Sequence, residues 1–146
     1  MKYLTQDLTK IEYGVIAHGC NAQGVMGAGV AKALRNKWPE VYTEYCKMGL
    51  ELGRVQYVCI DDLLFVANCI TQEYYGNDNR VYASLKAIDS ALSKVAKDAG
   101  EFDLPIFMPK IGCGLGGLAW SQVAEIVSKN EKIYGAEFNI CDLTRM

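Results

Sequence analysis

The chain has one histidine, no Cys-x-x-Cys pair and no run of lysine or arginine. His18 has no partner at zinc-ligand spacing, so neither a metal site nor a resident cofactor is expected. A formal net charge of −2 without a basic run argues against a dedicated binder of duplex nucleic acid or of a membrane surface. It leaves room for a local positive pocket that takes a phosphorylated small molecule. No apolar stretch reaches transmembrane length, and the opening MKYLTQDLTK lacks the apolar core of a signal peptide; both point to the cytoplasm. Linkers, repeats and low-complexity segments are missing too. With 51% hydrophobic and 22% charged residues, residues 1–146 read as one globular domain. The cysteines at 20, 46, 59, 69, 113 and 141 fit no disulfide pattern. Cys59, Cys69 and Cys141 lie in apolar runs, and the expectation is buried free thiols in a reducing compartment.

What is present is an alternation of short apolar runs with amphipathic stretches. Strands are predicted over 1–5 and 14–18, the latter a continuous apolar run of the kind buried on both faces. Val30, Ala31, Leu34 and Trp38 predict a helix over 28–38, ended or kinked by Pro39, with a short helix over 40–49. The runs 55–60 and 63–70, joined at Asp61-Asp62, predict a hairpin. Val81, Leu85, Ile88, Leu92 and Val95 step by three and four and predict a helix over 80–98. A strand over 104–108, a helix over 119–130 and a closing strand over 138–143 follow. This order predicts an α/β fold: a three-layer α/β/α domain around a mixed central sheet.

Two glycine-rich stretches follow predicted strands and lead into predicted helices. They are HGCNAQGVMGAGVAKAL (18–34) and PKIGCGLGGL (109–118). The carboxyl rim of an open α/β sheet is where ligands sit. Glycine lets backbone N–H groups approach a ligand, and a helix N-terminus adds free N–H groups and partial positive charge. Two such loops facing each other can hold a diphosphate with few basic side chains. Residues 112–117 match G-x-G-x-x-G formally, but too little chain follows for the unit that this fingerprint serves. No G-K-[ST] follows either cluster, so a Walker loop is excluded. Asn21 and Gln23 offer donors and acceptors suited to sugar hydroxyls. His18, with an ordinary pKa near neutrality, is a candidate general acid/base.

Asp7-Leu8, HGCNAQGVMGAGVAKAL and PKIGCGLGGLAW together resemble the macro domain family over essentially the whole chain. The resemblance is to the branch that holds ADP-ribose-1″-phosphate phosphatases and terminal ADP-ribose protein glycohydrolases. NAQGVMGAGVAKAL is also similar to small macro-domain proteins of bacteriophages. The resemblance implies a cleft for ADP-ribose. In it Asp7 accepts from the adenine amino group, Leu8 lines the adenine pocket and Asn21 contacts the distal ribose. Met26, Gly27, Ala28, Gly29 and Val30 form the first phosphate loop, and Ile111, Gly112, Cys113, Gly114, Leu115 and Gly116 the second. Gln23 stands near where many family hydrolases place a second Asn. Gln72 and Gly116 stand where the terminal glycohydrolases use a lysine and an aspartate. His18 before the Asn turn resembles the phosphatase branch.

The expected function is therefore ADP-ribose binding and hydrolysis of ADP-ribose 1″-phosphate, with His18 and Asn21 as catalytic residues. The alternatives are a non-catalytic ADP-ribose-binding module and a hydrolase that removes ADP-ribose from modified macromolecules. Tyr74, Tyr75, Gly76 and Asn77 are read as a polar aromatic loop bordering the distal ribose. A nucleophilic role for Cys20 or Cys113 is the weaker expectation.

Overall fold

The computed structural model describes residues 1–76 and 78–142. Its centre is a six-stranded sheet of β1 (Lys2–Leu4), β2 (Gly14–Asn21), β3 (Val55–Asp61), β4 (Leu64–Gln72), β5 (Ile106–Met108) and β6 (Phe138–Cys141). The spatial order is β1-β6-β5-β2-β4-β3. Every neighbouring pair is parallel except β3 with β4, so the sheet is mixed, as the hairpin at Asp61-Asp62 implies.

Helices cover both faces. Here α1 (Gly29–Lys37) and α2 (Glu40–Lys47) lie on one, and α3 (Leu85–Glu101) and α4 (Trp120–Tyr134) on the other. Alternation along β2 assigns its side chains to the two layers. Val15 and Ala17 join the core under α3 and α4, whereas Ile16 and Cys20 join the core under α1 and α2. The helix α3 presents Ala87, Ile88, Ala91, Leu92, Val95, Ala96 and Ala99 inward, an apolar stripe at helical spacing.

Some boundaries differ from the sequence reading. The long helix starts at Leu85, not near 80, because the Ser84 hydroxyl caps it by accepting from the Ala87 N–H. Val81 is accordingly 64% exposed rather than on the inner stripe. Strand β2 runs to Asn21 rather than ending at His18. The last helix continues to Tyr134, where Gly135 takes the left-handed conformation (φ 65°) that ends it. The closing strand ends at Cys141; Leu143 and Asn77 lie outside the described residues. All six cysteines are free, and Cys20, Cys69 and Cys141 are buried. Cys59, expected inside, is exposed, because β3 is an edge strand with only one neighbour. Among the described residues, no helix is long and apolar enough to cross a membrane.

Candidate functional site: a cleft at the carboxyl rim of the sheet

β2 and β5 are adjacent and parallel, so their carboxyl ends lie side by side. The stretch after β2 and the stretch after β5 are therefore neighbours in space. At this rim, between the 6–9 segment, the start of α1 and the ends of β5 and β6, opens a cavity of about 430 Å³ lined by Gln6, Asp7, Leu8, Thr9, Gly29, Val30, Ala33, Leu34, Pro109, Lys110, Cys141 and Asp142. Of the residues proposed from sequence, Asp7, Leu8, Gly29 and Val30 meet here. Of the others, His18 and Asn21 lie within β2 and the rest on the two loops that continue the rim.

Asp7 caps a short 3-10 turn, Leu8–Lys10, through its own side chain. Its Oδ1 accepts from the Thr9 N–H at 2.9 Å and the Thr9 hydroxyl at 2.7 Å. These bonds, with Lys10 and Lys37 nearby, hold the carboxyl below its ordinary range. At neutral pH it is an ionised acceptor, fit for an exocyclic amino donor. Leu8, Leu34 and Cys141 are buried and give the cavity its apolar wall. Lys110 is the one basic side chain in the lining, half-buried with its ammonium 4.0 Å from Asp142 Oδ2. No side chain at Ala28 caps the start of α1, so the N–H groups of its first turn face outward without intrahelical partners.

The second loop is a set of interlocking turns. Gly112 and Gly117 have φ of 79° and 85°, conformations that favour glycine. The Leu118 N–H bonds to the Gly112 carbonyl at 2.9 Å, and the Gly116 carbonyl accepts from Tyr82 and Ala83. Among the described residues no hydrogen bond occupies the N–H of Gly114, Leu115 or Gly116. A donor-rich turn thus follows β5 at the carboxyl rim of the sheet, an arrangement suited to phosphate oxygens. Cys113 is half-buried and burial pushes its thiol pKa up, so it is not the thiolate that a nucleophile needs.

Three placements change the sequence reading. His18 was expected as general acid/base. Its side chain instead sits with Ile16 and Cys20 on the α2 face of β2, only 1% exposed. The ring Nε2 lies 2.5 Å from Asn68 Oδ1. Both Asn68 amide donors are spent on the Val41 carbonyl and Gln56 Oε1, so Nε2 carries the proton. Burial drops the His18 pKa to about 4, and the ring is a neutral core residue away from the cavity. Asn21 was expected on the distal ribose. Its Oδ1 accepts from the Gln23 and Val25 N–H groups and its Nδ2 donates to the Val25 carbonyl, so the amide shapes the loop. Met26, expected on the phosphate loop, is 1% exposed with its side chain in the core.

Gln23 is exposed and donates to the Glu73 carbonyl. Gly27, Ala28, Gly114 and Leu115 are exposed, Gly112 is half-buried, and Ile111 and Gly116 are buried. Tyr74 and Tyr75 are 63% and 53% exposed, next to Glu73, whose carbonyl also accepts from the Ala22 N–H. Lys110, Cys141, Thr9 and Tyr45 took no site role in the sequence reading. Lys110 sits inside the quoted PKIGCGLGGL, where a cation at a ligand rim was a usable signal.

Comparisons with known proteins place the fold and the family. A family model for the macro domain matches residues 17–127. The ADP-ribose 1″-phosphate phosphatase of Lodderomyces elongisporus is 26% identical over 141 aligned residues, covering 86% of this chain and 84% of that protein. The DNA ADP-ribosyl glycohydrolase of Mycobacterium bovis is 28% identical over 131, covering 84% of this chain and 36% of that protein. Among solved structures, a macrodomain protein from Streptomyces coelicolor superposes with a TM-score of 0.82 at 29% identity, over 97% of both chains. With two glycine loops on adjacent parallel strands of a mixed sheet and a match over most of its length, this chain belongs to the macro domain family.

Proposed function

We propose that the chain binds ADP-ribose in this cleft and hydrolyses ADP-ribose 1″-phosphate to ADP-ribose and inorganic phosphate. The observation that carries the reading is the continuity of one groove from an ionised Asp7 over an apolar wall to the N-terminus of α1. Adenine occupies the Leu8, Leu34 and Cys141 end, its amino group donating to Asp7. The diphosphate lies against the N–H groups of α1 and of the second loop, with Lys110 beside it. The names of relatives such as the L. elongisporus protein supply the terminal phosphate.

In this reading the bond between phosphorus and the C1″ oxygen breaks. The water oxygen ends on phosphorus and a proton ends on the sugar oxygen. Backbone N–H groups stabilise the charge that develops on the phosphoryl oxygens. Neither His18 nor Cys113 takes the water proton; the substrate's own phosphate oxygens accept it. The test is phosphate release from ADP-ribose 1″-phosphate. Multiple turnovers, lost in a cleft variant such as Gly114→Val, support the reading. Unchanged substrate after long incubation, with binding intact, leaves a binding module.

A second reading is hydrolytic removal of ADP-ribose from a modified macromolecule. Exposed Tyr74 and Tyr75 beside the first loop favour it, as does the name of the M. bovis relative. ADP-ribosylated DNA assayed in parallel separates the two.

Asp7 is the adenine determinant in both readings. Asp7→Ala removes a charged acceptor, a contact worth roughly 1.5–3 kcal/mol. ADP-ribose affinity is expected to fall at least tenfold, and loss of the cap on the Leu8–Lys10 turn to cost about 1 kcal/mol of stability. Equal affinity in titration would remove Asp7 from the site.

A further inference from the structure

The first loop is held from below by a residue that no motif includes. Tyr45 lies on α2, fully buried, at 0% exposure. Its hydroxyl donates to the main-chain carbonyl of Asn21 and lies 3.1 Å from Asn21 Oδ1. Through that same Oδ1 Asn21 gathers the N–H groups of Gln23 and Val25, at 3.0 and 3.3 Å. The Asn21 Nδ2 closes the turn on the Val25 carbonyl at 2.8 Å. Four residues later the chain enters α1 at Gly29. One phenol thus touches both the backbone and the side chain of the residue that folds the loop.

The helix bearing Tyr45 is itself tied to the sheet. Asn68, on β4, donates to the Val41 carbonyl at 3.1 Å. Val41 and Tyr45 are one turn apart and face the same core. Burial pushes the Tyr45 hydroxyl pKa far up, so it is a neutral donor at neutral pH.

We infer that Tyr45 is the positioning residue of the first phosphate loop: its buried hydroxyl, acting through Asn21, sets where the N–H groups ahead of α1 stand. This rests on the proposed ADP-ribose reading and assigns part of that affinity to a residue that does not touch the ligand. It acts on the diphosphate end of the cleft, because the Tyr45 hydroxyl bonds to Asn21, whereas Asp7 at the adenine end is held by Thr9.

Tyr45→Phe keeps the ring and deletes only the hydroxyl. Titration of Tyr45→Phe, Asn21→Ala and the double variant with ADP-ribose and with adenosine tests the assignment. The expected result is a tenfold or larger loss of ADP-ribose affinity in each single variant, with adenosine affinity within twofold of the parent. The double variant loses no more than about the larger single loss, because both substitutions break one unit. Equal loss of both ligands would make Tyr45 a general stability residue, and unchanged ADP-ribose affinity would free the loop from it. Fully additive losses would mean that the two act separately. Each of these overturns the inference. If the parent protein itself fails to bind ADP-ribose, the functional reading falls first, and that outcome is visible in the control.

Discussion

Between pH 6.5 and pH 4 the protein is expected to lose about 3 kcal/mol of stability through His18 alone. The folded-state pKa is depressed from 6.5 to about 4. In that window the unfolded chain binds a proton that the native state refuses. Stability from this group is fully present above about pH 6.5, falls by about 1.4 kcal/mol per pH unit below it, and stops falling near pH 4. The cause is burial, since the ring has no solvent and only an amide oxygen and the Cys20 thiol as partners. For a domain of this size the loss amounts to a melting shift of roughly 8 °C. His18→Gln keeps a donor near Asn68 and removes the titration. It should be about 1–2 kcal/mol less stable than the parent at neutral pH, with the gap closing and then reversing on acidification. ADP-ribose affinity at neutral pH should stay within about threefold. Melting curves at half-unit pH steps check the first part. A His18→Gln protein that binds normally but does not turn over would return the histidine to the chemistry.

The second large effect separates a turn requirement from a ligand requirement. A Cβ on Gly116 would stand 2.6 Å from the Gly112 carbonyl oxygen. Hydrogen bonds hold both residues, so neither yields freely. Gly116→Ala should therefore cost roughly 1–3 kcal/mol of stability as well as binding. Gly114 is the contrast, with nothing within 4 Å of its ideal Cβ position and a φ outside the left-handed region. Gly114→Val should leave the melting temperature within a degree or two. In the proposed reading the diphosphate fills the space that the valine would enter. ADP-ribose affinity should then drop by thirtyfold or more, about 2 kcal/mol. A Gly114→Val protein with unchanged affinity would mean that the glycines of this loop serve only its turns.

Much of this site can be read from the residues in order. Both loops stand out, because glycines clustered between an apolar run and a helical pattern mark tight turns or close backbone approach. The hairpin follows from two apolar runs joined at Asp61-Asp62, and the mixed sheet follows from the hairpin. The reading fails where side-chain direction decides. A strand buried on both faces buries its last residue as well. His18 shares parity with Ile16 and Cys20, and once β2 runs on to Asn21 that parity points it at α2 rather than at the rim. The start of α3 differs from its apolar spacing for a local reason. Val81 keeps the helical spacing, but the Ser84 hydroxyl captures the Ala87 N–H and the helix begins after it. Tyr45 and Asn68 carry no local signal, because their partners lie 24 and 50 residues away. Lys110 and Cys141 reach the cavity only because β5 and β6 are neighbours in the sheet.

The central claim is that one groove at the sheet's carboxyl rim holds ADP-ribose. Calorimetric titration of the purified protein with ADP-ribose, with AMP and ATP as controls, tests it most directly. Saturable one-site binding of ADP-ribose, tighter than either control and weakened in Asp7→Ala and Gly114→Val alike, is the expected result. An absence of heat with ADP-ribose, or equal affinity for all three nucleotides, would contradict it.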